Sequence, residues 1–478
     1  MTADFHKKTL TFRYMSFFKN IMAAGALAVS AIAAQAGQAP KYIFYYIGDG
    51  MGMGPVMAAQ TYNRVVLGND EPLLMMQFPT VAWCQTWSAS STTTDSAAAG
   101  TALSTGTKTG NGMLGVAPDS TAVTSVAARL HDMGWGVGIT TSVSADDATP
   151  GAFYAHVPNR GMSYEIDCEA ARCGYEFIAG AGLRGLTGDK HDEIVALMEQ
   201  NGVRMLYGKA GAEAALDSRR VCLLNSETGN VWNVGYTIDS VADRLTLPLI
   251  AETCLAHLEK YSPEHFFMMV EGGNIDHALH ANDGGAAIKE IINFNEALEV
   301  AYRFYLAHPE ETLIVVTADH DTGGLAMGND TAKYSSKFGY FDHQRKSKEA
   351  FSLDCKAMLR DRRVYTWDDM REKLERDFGL FSVIPVTPEQ EQRLKEGFAA
   401  TFELRNSEDQ QTLYANFNAF AVDVFKLINE AAGLGFTTSS HSGNPVPLFA
   451  IGVGADLFKG FNNNDEIAPT MLKLVHGK

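Results

Sequence analysis

Beyond its first 36 residues the chain has no run of about 20 unbroken apolar residues, so nothing in that part is long enough to cross a bilayer as a helix. Positive charge is also short: 39 Lys and Arg face 56 Asp and Glu, a net of −17. Such a balance repels nucleic-acid backbones at long range, and no basic stripe of the kind a DNA or RNA reader needs is present. An anionic substrate would have to be held by local positive charge, for which bound metal ions are a ready source. Cysteines number six (84, 168, 173, 222, 254 and 355), an even set that suits an oxidising compartment. Of these, Cys168 and Cys173 are close enough in sequence to bridge. No internal repeat or low-complexity tract occurs, and 46% hydrophobic with 20% charged residues is globular stock rather than disordered or fibrous.

Residues 1–36 differ from the rest. Lys7, Lys8, Arg13 and Lys19 precede an apolar stretch from Ile21 to Ala34, and Ala34-Gln35-Ala36 has the small-x-small pattern of a signal-peptidase site. We read a signal peptide, complete even if Met15 rather than Met1 is the initiator, and therefore an exported protein, periplasmic or secreted. Cleavage removes four basic residues and one acidic one, which leaves 35 against 55, or −20.

From residue 42 to about 325, strand-like apolar runs alternate with helical patterns, which predicts an α/β fold: a mostly parallel central sheet with helices on both faces. Thr121–Met133 reads as a helix closed by Gly134. Asp283 reads as the cap of a long helix reaching Ala307, where His308-Pro309 stops it. After Gly324 the texture changes, and a mainly helical insertion is expected at about 325–437. Its helices are signalled by Trp367–Phe378, by a capping box with Pro at Thr387-Pro388-Glu389-Gln390, and by Thr412–Ala432 before Gly433. A last strand, Leu448–Val453, returns to the α/β pattern.

Three of the predicted strands end on acids. Tyr42–Ile47 stops at Gly48-Asp49-Gly50-Met51-Gly52, Phe266–Val270 at Glu271-Gly272-Gly273, and Thr312–Val316 at Thr317-Ala318-Asp319-His320. Ligands gather at the carboxyl ends of strands in open α/β sheets, and acids clustered there repel one another unless a cation lies between them. Asp276 and His280, four apart, share one face of a helical turn just after Glu271; Asp319-His320 offers a second oxygen and nitrogen pair. Zinc takes such mixtures, whereas magnesium prefers oxygen donors of the kind offered by Asp49, Glu271 and the Thr149 hydroxyl. Ser96, between Asp95 and an alanine run, falls at the first turn of a helix, where unpaired N–H groups favour a phosphate-like anion. Taken alone it would be an ordinary cap.

The motifs Gly48-Asp49-Gly50-Met51-Gly52, Thr94-Asp95-Ser96-Ala97-Ala98, Asp147-Ala148-Thr149-Pro150 with Asn159-Arg160, Val270-Glu271-Gly272-Gly273-Asn274-Ile275-Asp276-His277, Thr317-Ala318-Asp319-His320 and His441-Ser442-Gly443 occur in one order across residues 48–443. In this the chain resembles the alkaline phosphatases, metal-dependent phosphomonoesterases. The resemblance implies one zinc held by Asp276, His280 and His441, a second held by Asp319, His320 and a bridging Asp49, and a magnesium held by Asp49, Thr149 and Glu271. It implies Ser96 as the nucleophile of a phosphoserine intermediate, Arg160 as the clamp on the phosphoryl oxygens, small phosphomonoesters as substrates, an alkaline optimum and a homodimer. The pattern is a hybrid: Asp147, two before Thr149, is as in bacterial members, and His277, after Asp276, is as in animal ones. Both are expected behind the metal ligands, with His277 in a water-mediated contact to phosphate. A phosphodiesterase or mutase of the same superfamily is the rival reading, but these usually lack the Asp-Ser-Ala-Ala and Asn-Arg motifs. A non-catalytic phosphate or metal scavenger is another, and it would need no nucleophile.

Overall fold

The computed structural model of the protein describes residues 39–226, 229–239 and 243–477. The signal peptide expected at residues 1–36 lies outside them. Ten strands form the main sheet: β1 (Tyr42–Ile47), β2 (Thr80–Gln85), β3 (Gly136–Thr141), β4 (Phe177–Gly180), β5 (Arg204–Tyr207), β6 (Val221–Leu224), β7 (Phe266–Glu271), β8 (Thr312–Thr317), β9 (Val446–Gly452) and β10 (Gly460–Asn463). Their spatial order is β10-β2-β9-β8-β1-β7-β3-β4-β6-β5, and β9 alone runs against its neighbours. Strands β1, β3, β7 and β8 are buried along their whole length, as apolar strands covered by helices on both faces must be. By contrast β2, near the edge, alternates buried and exposed. The α/β fold is the one expected.

Register places the site. Ile47 of β1 lies level with Glu271 of β7 and with Thr317 of β8, and Thr141 of β3 is also level with Glu271. Asp49 and Asp319 therefore each sit two residues past a common line that Glu271 occupies. Because β9 is reversed, its amino end lies at the carboxyl end of the others. A short bridge just before it pairs His441 with Thr322 and Ser442 with Asp321, which brings His441 to that same line.

Helices α1 (Ser96–Thr105), α2 (Asn274–His280) and α3 (Gly284–Ala307) border the site. Helix α3 starts on Asp283, whose carboxylate accepts from Ala286 N at 3.0 Å, from Gln344 Nε2 at 2.8 Å and from Lys348 N at 2.7 Å. Between the small sheet pieces at Ala326–Met327 and Leu434–Gly435 the chain forms α4 (Lys348–Arg360), α5 (Trp367–Phe378), α6 (Pro388–Phe398) and α7 (Ala419–Ala432). Thr366 and Thr387 both make capping boxes.

Three expectations are corrected. The helix read over 121–133 covers only Val126–Asp132, because Ala122 bridges Val116 and Ser125 is the cap that accepts from Ala128 N. The helix read from Thr412 starts at Ala419 on the Asn418 cap; the preceding residues form a hairpin in which Gln410 and Gln411 pair with Phe417 and Asn416. The Cys168–Cys173 bridge is not formed, and all six cysteines are free thiols. Cys168 lies on the helix Ser163–Arg172 and Cys173 caps its end, so five helical steps point the two side chains about 140° apart.

Replacing Asp283 by Ala removes three hydrogen bonds at once from a buried carboxylate that joins α3 to α4. Chemical denaturation should register a loss of about 2–4 kcal/mol, and a loss under about 0.5 kcal/mol would contradict this role.

Candidate metal centre

Each candidate ligand is delivered by a short segment at the carboxyl end of the sheet. Asp49 follows β1 in a turn where Gly50 adopts φ +69°, and a Cβ there would come within 2.7 Å of Asp276 Oδ1 and 2.8 Å of Thr322 Oγ1. Only glycine lets the backbone pass so close to a candidate ligand. Gly50 N donates to Asp319 Oδ1 at 3.1 Å, tying the two strand ends together. Asp276 and His280 lie one turn apart on α2, with 3.3 Å between Asp276 Oδ2 and His280 Nε2.

The imidazoles all point the same ring nitrogen inward. His280 Nδ1 lies 2.6 Å from the Ser439 carbonyl oxygen and His441 Nδ1 lies 2.8 Å from that of Thr94. A carbonyl only accepts, so each Nδ1 carries a hydrogen, and each Nε2 is left to hold either a lone pair for an ion or a second hydrogen. Those two Nε2 atoms face one another at 3.0 Å. His320 is set in the same sense: Thr322 Oγ1 donates to Asp276 Oδ1 at 2.5 Å and so accepts from His320 Nδ1 at 3.1 Å. Its Nε2 then faces Asp319 Oδ2 at 3.1 Å, Ser96 Oγ at 3.2 Å and Asp49 Oδ1 at 3.4 Å.

Lone pairs and carboxylate oxygens at such distances repel unless a cation or a proton separates them. Asp49, Asp319 and His320 can offer ligand atoms all within 4.8 Å of one another, as can Asp276, His320 and His441. Buried Asp49 Oδ1, Asp276 Oδ2 and Glu271 Oε1 have no hydrogen-bond partner, although imidazole nitrogens lie close to the first two. The donor set therefore fits divalent ions. Glu271 joins neither of the two compact groups; its other oxygen accepts from Thr141, while Thr149 Oγ1 donates to Asp319 Oδ2 at 3.5 Å.

Electrostatics carry the same signature. Burial, and then the carboxylates of Asp319, Asp276 and Glu271, push the Asp49 carboxyl well above its ordinary range, and burial pushes Glu271 up to about 8. Burial opposes ionisation of Asp276, yet the His280 and His441 imidazoles outweigh it and hold that carboxyl well below the usual range. Burial would lower His280 and His320, but Asp276 and Asp319 respectively raise them. In His441 burial wins, with help from His320, and brings it down to about 4. Without ions the cluster needs protons in the places where cations would sit.

Ser96 opens α1, and Asp95 caps that helix by accepting from Ala98 N at 3.0 Å. Arg160 reaches the same point, with Nη2 at 2.9 Å from Asp147 Oδ1 and Nη1 at 3.5 Å from Asp95 Oδ2. Asp147 is thus engaged by guanidinium groups, with Arg184 also at 3.6 Å; although burial opposes ionisation, the two arginines pull it down to about 2. His277 lies against the ring of Tyr414, centroids 4.0 Å apart, and burial lowers it to about 4. All twelve residues singled out in the sequence lie in or beside this one region. Three that the sequence did not single out join them: Thr322, which sets the His320 tautomer; Asp95, which holds Arg160; and Tyr414, whose hydroxyl accepts from Arg160 Nη2 at 3.5 Å. Asp95 could have been found from its cap position beside Ser96; Tyr414 sits in a hairpin with no motif around it.

The known proteins that this chain is similar to include alkaline phosphatases. The profile of the alkaline phosphatase family matches residues 40–182 and 233–476. An alkaline phosphatase of Schizosaccharomyces pombe is 28% identical over 313 residues, covering 62% of this chain, and the chain spans 58% of that protein. Alkaline phosphatase 4 of Bacillus subtilis is 26% identical over 388 residues, covering 80% of this chain and 76% of its own length. The crystal structure of a cold-active alkaline phosphatase from a psychrophilic Shewanella matches with a TM-score of 0.76 at 27% identity, covering 91% of this chain and 99% of that one.

Repulsion among the acids predicts a crossover of stability. Asp49→Asn should melt higher than the unaltered chain when both are stripped of divalent ions, by at least about 1 kcal/mol, and lower when both are saturated with zinc and magnesium. Thermal melts in chelator and in added metal check this; a variant less stable than the parent in both conditions would contradict it.

Proposed function

We propose a function from one premise: the chain belongs to the alkaline phosphatase family. It hydrolyses phosphate monoesters through a phosphoserine on Ser96. Asp276, His280 and His441 hold one zinc, Asp319, His320 and Asp49 a second, and Asp49, Thr149 and Glu271 a magnesium. The observation that carries this reading is the inward set of the three imidazoles, each with Nδ1 committed to a backbone carbonyl or to Thr322 and Nε2 turned to the carboxylates and Ser96. Three imidazole nitrogens converging on buried acids suit divalent ions, which take the place of the protons the cluster otherwise needs.

When bound, the ions supply Lewis-acid charge beside Ser96 and the phosphoryl oxygens, which is what allows a hydroxyl and a water to act as nucleophiles near neutral pH. The chain does the rest. The planar fork of Arg160, held by Asp147 and Asp95, grips two non-bridging phosphoryl oxygens, a task that a lysine would do less well. The amino end of α1 turns its free N–H groups and positive dipole end toward the same group. Ser96 Oγ forms the new bond to phosphorus as the ester P–O bond breaks and the alcohol leaves. Water then attacks the phosphoserine, returning the hydroxyl of Ser96 and releasing inorganic phosphate. The residues gathered here act on phosphate rather than on the leaving group, which favours a broad monoesterase. Alkaline pH suits it, since the ligands bind ions only when deprotonated. Export by the leader at residues 1–36, to the periplasm or beyond, and assembly as a homodimer complete the proposal, with residues 325–437 as a mainly helical addition to the α/β domain.

With zinc and magnesium supplied, Ser96→Ala should lower the turnover of a nitrophenyl phosphate monoester by about four to six orders of magnitude while bound zinc, counted by atomic emission, stays at the parental level. Unchanged turnover would overturn Ser96 as the nucleophile, and absent turnover in the parent chain would favour a binding protein instead.

A further inference from the structure

The hairpin that replaces the start of the expected 412–432 helix is fixed to the metal centre. Lys348 Nζ, buried, donates to the Ala281 carbonyl at 2.8 Å, directly after α2, and to Gln410 Oε1 of the hairpin at 3.3 Å, while lying 4.7 Å from the Phe417 ring centre. Lys356 of the same helix donates to the Asn416 carbonyl at 2.6 Å and pairs with Asp409 at 3.0 Å; Ser352 Oγ accepts from Asn418 N at 2.7 Å. Inside the loop Thr412 N closes on the Ala415 carbonyl at 2.9 Å. A turn tied down at so many points holds its side chains in fixed places, and one of them faces the candidate metal centre. That side chain is Tyr414.

Its ring packs against His277 at a tilt of 34°, with centroids 4.0 Å apart, and edge-on against His280 at 5.3 Å. Its oxygen accepts from Arg160 Nη2 at 3.5 Å, so the phenolic hydrogen points away from the guanidinium. Among the described residues no carbonyl or carboxylate takes that hydrogen within hydrogen-bond distance. A phosphoryl oxygen that displaced the 3.5 Å Tyr414 contact from Nη2, whose other hydrogen goes to Asp147 Oδ1 at 2.9 Å, would lie beside it.

We propose that Tyr414 makes the site selective for phosphate monoesters over diesters: its hydroxyl donates to the phosphoryl oxygen held by Arg160, and its ring fills the space into which a second ester substituent on that oxygen would project. A monoester carries three non-bridging oxygens and a diester only two. Where a side chain both donates to the third oxygen and bars the group that would replace it, one residue favours the first substrate and disfavours the second. This inference rests on the phosphomonoesterase reading above.

Two substitutions separate the hydroxyl from the ring. In the zinc- and magnesium-loaded protein, Tyr414→Phe should weaken inhibition by inorganic phosphate and raise KM for nitrophenyl phosphate by about tenfold to a hundredfold, with kcat/KM for bis(nitrophenyl) phosphate within twofold of the parent. Tyr414→Leu, which keeps an apolar residue against His277 but opens the space, should raise the ratio of diester to monoester kcat/KM at least about tenfold. Phosphate inhibition within twofold of the parent in Tyr414→Phe overturns the proposal, and so does an unchanged ratio in Tyr414→Leu. Parental chain that is metal-loaded yet inactive on the monoester would instead sink the reading on which this one rests.

Discussion

Buried carboxylates that cannot all keep their charge govern this structure. Asp49, Asp147, Glu271, Asp276 and Asp319 lie at one end of the sheet, each no more than 6% exposed. Such a concentration of acid in an apolar sheet end would unfold it or neutralise itself unless positive charge were built in. Two kinds are visible in the chain: the guanidinium groups of Arg160 and Arg184 around Asp147, and the imidazoles of His280, His320 and His441 around Asp276 and Asp319. The arginines satisfy their share. The imidazoles do so only by taking a second hydrogen on Nε2, since the hydrogen on each Nδ1 is already committed, or by sharing Nε2 with a cation.

The fold explains how so few residues reach so small a volume. Parallel strands end at the same level, so a one-residue extension past that level is the same extension on every strand: Glu271 on it, Asp49 and Asp319 two residues beyond. A parallel sheet alone would leave His441 on the far side of a long connection. Reversing β9 lets the chain arrive at the ligand end before it enters the strand, and the bridge of His441 to Thr322 fixes the distance. Glycine does the complementary work at Gly50, where the backbone runs against Asp276 and Thr322 with no room for a side chain.

Much of this could be read from the residues, and the reasons are local. An apolar run that stops on Gly-Asp-Gly or Glu-Gly-Gly announces a strand end with an acid on it, and Asp276 with His280 declares a shared helical face by spacing alone. The capping box at Thr387 follows from side chains three residues apart. Long-range choices were not legible. Thr412–Phe417 has the composition of a helix start, yet Lys348, Ser352 and Lys356, some 60 residues away in sequence, hold it as a hairpin. Misreading that stretch hid Tyr414. Thr322 was hidden for a related reason, since a lone threonine gives no sign that its hydroxyl relays between an imidazole and a carboxylate. Residues 121–124 failed because a bridge to Val116 outweighs helix propensity before the Ser125 cap.

The central claim is that the converging Nε2 atoms and carboxylates are metal ligands rather than a proton-sharing core. Anomalous diffraction at the zinc edge, from crystals grown with zinc and magnesium, tests it most directly. Two peaks are expected, one among Asp276, His280 and His441 and one among Asp49, Asp319 and His320. Density free of anomalous signal there, with the imidazoles hydrogen-bonded to the acids through Nε2, would contradict it.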